Sequence, residues 1–531
     1  MNLARVVKSE KFTLFIVFAF AFVLRILFLF SLKNDPVFNM PIIDSLEFDR
    51  WALDILRGNL LWTTLPNHPP LYAYFLAAIY KIFGYNLPVV TLLQYLLGGL
   101  DCILVYFIAK KLTNKAGAVM GSLFMATYWF FIFVQSFLFS ENLSLFLNIL
   151  LMYLLLFLKD NFRKYFICGV VFGLSVICRT DVLLFALFIL PWFIIRDIPI
   201  KIILRYYLVF IAALILVVGP VILRNYFISK ELVMRTQVGA SIYIGNNPEF
   251  KGASTNLGIG KDWEDFISLP QRTLGRDLKE TEADRFFIKE TLKIIRQRPG
   301  EWIALMGGKI FSLLTGREFL RSEDAYFFNR YIASNLLRVI STRLIFILAT
   351  AGLILSLASG RRFVLLYAFI LSEAFIVFFS LKMRYFMPVV PFLIIFSAYA
   401  ISRLYESLKN KKLVSALFIV ILLCLINILS LFNPLKIASP DISEVYFATA
   451  KNYNMRGMRG KAVEYYLYAI ELNPRNISAY NDLGVLFLNL KKYDTALVYF
   501  EKALSIDINA IKPRLNYQLC RELMSKNKKV K

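Results

Sequence analysis

Asp44 follows the turn Pro41-Ile42-Ile43, with Glu47, Asp49 and Asp54 beyond it. Glu141 follows Ser140, Arg179 and Asp181 flank Thr180, and Lys382 and Arg384 stand just before an apolar run. A carboxylate can accept a proton as a general base. Arginine and lysine stabilise charge that grows on a leaving phosphate. The set therefore suits a reaction in which a hydroxyl loses its proton while a phosphate departs. Each residue also has a structural reading. Glu141 at a helix start is favourable against the helix dipole, and Arg25, inside an apolar run, can snorkel to head groups. Asp44 has no evident helix to cap. His68, the only histidine, reads as an interfacial, hydrogen-bonded side chain, which excludes a histidine-based zinc or copper site.

The elements that must position these residues are membrane helices. Of the 531 residues, 58% are hydrophobic and 18% charged, too few charges for a soluble chain. A crossing helix needs about 20 mostly apolar residues. Such runs cover roughly 12–32, 89–109, 116–135, 141–158, 164–179, 181–196, 203–222, 336–358, 363–381, 385–402 and 412–432. The break at Cys178–Asp181 divides two of them. With the N-terminus in the cytoplasm, the inside segments hold eighteen basic and four acidic residues, which satisfies the positive-inside rule. The net charge of +25 thus reports orientation, and a nucleic-acid partner is not expected. Alternation puts Asp44, Glu141, Arg179 and Arg384 at outer helix ends, where ionisable groups are functional candidates.

Two long segments, 33–88 and 223–335, also fall outside. The first contains an amphipathic stretch ending at Gly84, and the second holds a GNNP turn, a Gly252–Gly260 loop, a charged helix near 277–297 and an apolar helix over 301–316. Lys309 and Arg317 on or beside that last helix are further candidates for phosphate. Beyond Phe432 a 34-residue period appears, in which Ala462, Tyr466 and Ala469 return as Ala496, Phe500 and Ala503. This is the tetratricopeptide pattern. The expected architecture is all-α: a polytopic domain over 1–432 with about eleven spans, then a helical repeat solenoid over 441–525, outside the membrane. The cysteines inside the apolar runs read as small hydrophobes.

A carboxylate and several cations beside lipid fit transfer of a sugar from a polyprenyl phosphate. The lipid-linked donor is then a substrate; no cofactor is implied, and with one departing phosphate a divalent metal is not obligatory. No P-loop or GxGxxG motif marks a nucleotide fold.

The stretches IIDSLEFDRWALDILRGN, HPPLYAYFLAAIYKIFGYN, SENLSLFLNILL, GLSVICRTDVLLF, IYIGNNPEFKG and LKMRYFMPVVPFLIIFSAYA, in this order, resemble the GT-C glycosyltransferases of family 39. These are related to protein O-mannosyltransferases and the lipid A aminoarabinose transferase. The resemblance covers about residues 12–430. It implies Asp44 as catalytic base, the PPLY segment at Pro69–Tyr72, with His68 before it and Tyr72 at its end, and Arg384-Tyr385 near the lipid phosphate. By their outer helix ends Glu141 is a supporting carboxylate and Arg179 and Lys382 are phosphate partners, and Glu47 is a further carboxylate of the first loop, where Ser45 stands in place of the family's second adjacent acid. The implied activity is inverting transfer at the outer face of a bacterial cytoplasmic membrane, to a protein, lipid or glycan hydroxyl. The repeats would bind a protein partner. A transporter or flippase for a lipid-linked glycan would instead bury ionisable residues at mid-membrane, and a membrane-anchored scaffold would not need the ordered charges.

Overall fold

The computed structural model describes residues 10–61, 64–196, 198–251, 263–332, 340–379, 381–432, 434–435 and 440–530. The Gly252–Gly260 loop lies outside them. Among the described residues the chain is helical throughout and has no strand.

The membrane part opens with α1 (Glu10–Leu32), α2 (Ile43–Leu56), α3 (Leu71–Phe83) and α4 (Leu87–Leu112). Then come α5 (Lys115–Thr127), α6 (Glu141–Phe157), α7 (Phe162–Val176) and α8 (Ile200–Ser229). Helices α1, α4 and α8 are long and apolar enough to cross a membrane. The apolar stretch Thr342–Phe378 also qualifies by length, but Gly360 breaks it at φ 62°. It is therefore two helices, α12 (Thr342–Ser356) and α13 (Val364–Glu373). Between them and α8 lie α9 (Glu280–Gln297), α10 (Pro299–Leu314) and α11 (Ser322–Phe327); α14 (Val390–Lys409) and α15 (Leu413–Leu429) complete the bundle.

Two expected spans are interrupted. The run over 116–135 bends at Tyr128, whose extended backbone starts a short buried helix, Trp129–Val134. The run over 181–196 is a 3₁₀ turn, Thr180–Leu184, followed by two short helices, the second opening at Pro191. Proline lacks the N–H that would continue the ladder.

Helix contacts rely on small residues, since lipid gives apolar side chains no reason to leave it. A Cβ on Gly169 would stand 2.3 Å from the Phe210 carbonyl, and one on Gly352 would stand 2.0 Å from that of Phe396. These glycines let α7 lie on α8 and α12 on α14.

Arg25 does not snorkel. Its side chain is 0% exposed and donates to the Gln135 Oε1 at 2.7 Å and the Ala21 carbonyl at 3.0 Å. The chain thus contains buried ionisable groups in its apolar helices: Arg25 in α1, Asp101 in α4 and Glu373 at the end of α13.

The repeats form α16 (Ser443–Met455), α17 (Arg459–Leu472), α18 (Ile477–Asn489), α19 (Tyr493–Ile506) and α20 (Ile511–Val530). The periodic residues Ala462, Tyr466, Ala469, Ala496, Phe500 and Ala503 are all buried, as helix pairs packed around aromatic wedges require. Replacing Gly352 with Leu should destabilise the bundle by about 1–3 kcal/mol. That would be read as a lower unfolding midpoint in detergent, with an unchanged midpoint sinking the close-packing account.

Candidate active site

Asp44 does open a helix: it lies in the first turn of α2. The turn before it is strained, because Ile43 sits at φ +50°, a region disfavoured for a β-branched residue. Such a conformation costs about 1–3 kcal/mol and persists only where its surroundings enforce it.

The Asp44 carboxylate does not cap its own helix. Its Oδ2 accepts from Arg384 Nη2 at 2.5 Å and from Arg321 Nη1 at 2.9 Å. Arg384 Nη1 lies 3.9 Å from Glu141 Oε1, which accepts from Arg179 Nη1 at 2.6 Å. Arg179 in turn places its fork on Asp181, with Nη2 to Oδ2 at 2.8 Å. Charges of alternating sign thus run from Arg321 through Asp44, Arg384, Glu141 and Arg179 to Asp181. Aromatic rings cover the cations. Arg384 lies 4.1 Å over Phe139, Arg179 5.4 Å over Tyr385 and Lys382 5.3 Å over the same ring.

The elements explain the meeting. Asp44 lies in the first turn of α2, shortly after α1 ends. Glu141 starts α6, Arg179 follows the end of α7, and Lys382 and Arg384 precede α14. These are the helix ends that the alternation of apolar runs, read from the sequence, assigns to one face.

Burial alone would raise the Asp44 carboxyl, but the charges of Arg321, His68 and Lys382 outweigh it and hold it below the usual carboxylate value. Next to it, burial raises Glu323, and burial with the Glu323 charge pushes Asp324 up to about 7. Asp44 is therefore the member of this acidic group kept ionised by its neighbours. It is also reachable, since 24% of its side chain is exposed while Arg384 is 3% exposed. The Arg384 Nε is buried with no hydrogen-bond partner among the described residues. An apolar recess lined by Phe38, Met40, Ile42, Leu87 and Phe139 opens beside Ser45 and Glu323.

Other expected residues are not links in this chain of ion pairs. Glu47 and His68 face each other at 3.3 Å, and the His68 ring rests 5.0 Å from Phe48. Tyr72 donates to Gln94 Oε1 at 2.5 Å, in a buried network that also takes the Asn142 amide. Lys309 corrects the phosphate reading: it donates to the carbonyls of Gly245, Val377 and Phe379 at 2.5, 2.7 and 2.9 Å. Three acceptors use all three ammonium hydrogens. Arg317 reaches the Phe432 carbonyl.

The sequence reading missed Arg321, Glu323, Asp324 and Glu373. The first three form a run of charges, Arg321-Ser322-Glu323-Asp324, near the end of the second long segment between apolar runs. Glu373 was a lone carboxylate inside an apolar run, which is itself a signal. Both its oxygens are buried and lack hydrogen-bond partners among the described residues.

Residues 67–223 match the family of dolichyl-phosphate-mannose-protein mannosyltransferases, and residues 477–509 match the tetratricopeptide repeat. The resemblance read from the sequence is borne out in both parts of the chain. No curated protein matches it. Among solved structures, the chain is similar to the oligosaccharyltransferase of Archaeoglobus fulgidus complexed with zinc and sulfate, at 14% identity and a TM-score of 0.45. That likeness covers 87% of this chain and 57% of that one. The same enzyme with an inhibitory peptide and a dolichol-phosphate gives 14% identity and a TM-score of 0.42, over 88% of this chain and 60% of that one. The chain thus spans less than two thirds of the length of these structures.

Removing Arg179 would leave Asp181 without its cation and Glu141 with only the more distant Arg384. Replacing Arg179 with Met should cost about 3–5 kcal/mol, and adding Glu141→Gln should recover part of it. Thermal unfolding of the single and double variants tests this; a double variant no better than the single would refute the shared-cation account.

Proposed function

We propose that the chain is a membrane glycosyltransferase that moves a sugar from a polyprenyl-phosphate donor to an acceptor hydroxyl, with Asp44 as general base. The observation that carries this reading is the Asp44 carboxylate gripped by Arg321 and Arg384, with Lys382 and Arg179 beside them. The family match over residues 67–223 supports the reaction class. The family's named acceptor and the repeat module both favour a protein hydroxyl.

In the step itself, Asp44 takes the proton of the acceptor hydroxyl as its oxygen attacks the anomeric carbon. The bond from that carbon to the phosphate oxygen breaks, and the electron pair leaves with the lipid phosphate. One displacement of this kind inverts the anomeric centre. Arg321, Arg384, Lys382 and Arg179 are the cations that receive the phosphate charge. The reaction as written assigns no step to a metal. The site lies at the outer face of a bacterial cytoplasmic membrane, with the N-terminus inside and the repeats outside.

Before the donor binds, Asp44 itself neutralises Arg321 and Arg384. A carboxylate accepting two charge-assisted hydrogen bonds is a weak base. The donor phosphate competes for the same guanidinium groups, so its arrival releases Asp44 and raises its basicity when the acceptor needs it. A transporter reading draws on the buried Arg25 and Asp101, but it leaves the ordered charges around Asp44 without a role.

Replacing Asp44 with Asn should lower transfer of label from a radiolabelled polyprenyl-phosphate sugar in membrane vesicles by about 10²–10⁴-fold, with the protein folded and inserted. Undiminished transfer would defeat the catalytic reading. The pH profiles should also separate. Asp44 is depressed in the free site, so the acid limb of kcat/KM lies below the ordinary carboxylate value, and activity is lost only as pH falls through that lower value. The acid limb of kcat, which reports the loaded enzyme, should lie at higher pH. Superimposed limbs would rule out release of Asp44 by the donor.

A further inference from the structure

The two loops that meet at the Asp44–Arg321 pair come from distant parts of the chain, and a single helix of the repeat module touches both. At its C-terminal end, α16 reaches the first loop. Asn452 Nδ2 donates to the Pro41 carbonyl at 2.5 Å, two residues before the strained Ile43. Met40 is buried with Ala450, Tyr453 and Tyr466 in the apolar core of the first repeat. At its N-terminal end, α16 reaches the second loop. Ser322 Oγ donates to Glu444 Oε2 at 2.8 Å, next to Arg321, and the Tyr326 and Tyr446 rings stand edge to face at 5.7 Å. Val445 is fully buried within the main core cluster of the membrane part. A helix of 13 residues spans about 20 Å, so α16 is a strut between the turn that aims Asp44 and the segment that supplies its cation.

We propose that α16 is a working part of the active site, and that Asn452 and Glu444 are positioning residues for the general base. This rests on the proposed function. The physical case has two parts. The Ile43 turn is disfavoured by itself; the Ile42 carbonyl is held within its own helix start, and the Pro41 carbonyl before it is held by Asn452. The Asp44–Arg321 distance depends on two loops that are otherwise tied by Asp35, whose Oδ2 accepts from Tyr326 and Tyr331 at 3.1 and 2.6 Å. Asn452 also accepts from Arg456 Nε at 3.1 Å, which fixes its amide toward Pro41. The repeat module therefore does more than present a surface to a partner. Its first helix sets the geometry of transfer, and displacement of that helix changes the rate of transfer before it changes donor affinity.

The test uses the full chain in vesicles with a radiolabelled polyprenyl-phosphate sugar. Asn452→Ala and Glu444→Ala should each lower kcat about ten- to a hundredfold, the scale of a misplaced reacting group, with donor KM changed less than about twofold. Glu444→Gln keeps an acceptor oxygen for Ser322 and should restore most of the rate. Val498→Ser, at an exposed position of the second repeat, should leave the rate unchanged. Hydrogen exchange supplies a readout independent of activity: amides over 42–48 and 321–325 should exchange faster in both alanine variants. Full kcat, or unchanged exchange, in Asn452→Ala and Glu444→Ala overturns the strut. An active Asp44→Asn variant in the same assay overturns the proposed function instead, and exchange then decides alone whether α16 holds the two loops.

Discussion

The Asp44 carboxylate shared between Arg321 and Arg384 is the contact on which the arrangement of this end of the molecule depends. Each charge here is removed from water and would be costly alone. Alternation of sign along Arg321, Asp44, Arg384, Glu141, Arg179 and Asp181 means that each buried charge has an opposite neighbour. That condition ties four separate helix ends to one another. If α6 or α14 slid by a single turn, one charge would lose its partner, and the bundle would face a penalty that apolar packing in lipid cannot offset, because lipid solvates apolar side chains as well as protein does. The polar end therefore supplies registry that the apolar helices lack. In the proposed reaction its charges are also the groups that a lipid phosphate and a hydroxyl require, so the same constraint would serve folding and chemistry.

Much of this was legible in the sequence because two of its signals are strongly periodic or strongly conserved in sign by physics. The 34-residue repeat follows from small and aromatic residues that must alternate for helix pairs to stack, and every periodic residue named from the sequence is buried. The convergence of Asp44, Glu141, Arg179 and Arg384 followed from alternating apolar runs checked against basic inside turns. What was not legible depended on distance in three dimensions. Arg321 belongs to an outer segment with no periodicity, and only the fold brings it within 2.9 Å of Asp44. Lys309 has the charge of a phosphate ligand, yet three backbone carbonyls use all its donors. Arg25 sits where a snorkelling side chain would, and the amide of Gln135, on another element, keeps it inside. The helix break at Tyr128 lies within an apolar run whose hydropathy carries no mark of it, whereas the break at Gly360 falls between two of the expected runs.

The strained turn at Ile43 connects these observations. In the proposed reaction, a base that must be released at the right moment benefits from a fixed backbone and a labile partner: the turn holds the Asp44 Cα while the donor phosphate claims the guanidinium groups. A relaxed helix start would let Asp44 follow Arg384 and Arg321 when they turn toward the donor, and the carboxylate would then leave the acceptor. Holding Pro41 from the far side, through Asn452, keeps the carboxylate in place without adding a further cation that would depress its basicity. That division of labour, with charge partners on the donor side and a neutral amide on the backbone, explains why the neutral contact comes from a module outside the membrane helices. The helix ends around Asp44 are already committed to charged side chains, and any of these brought to the Pro41 carbonyl would enter the field of the base.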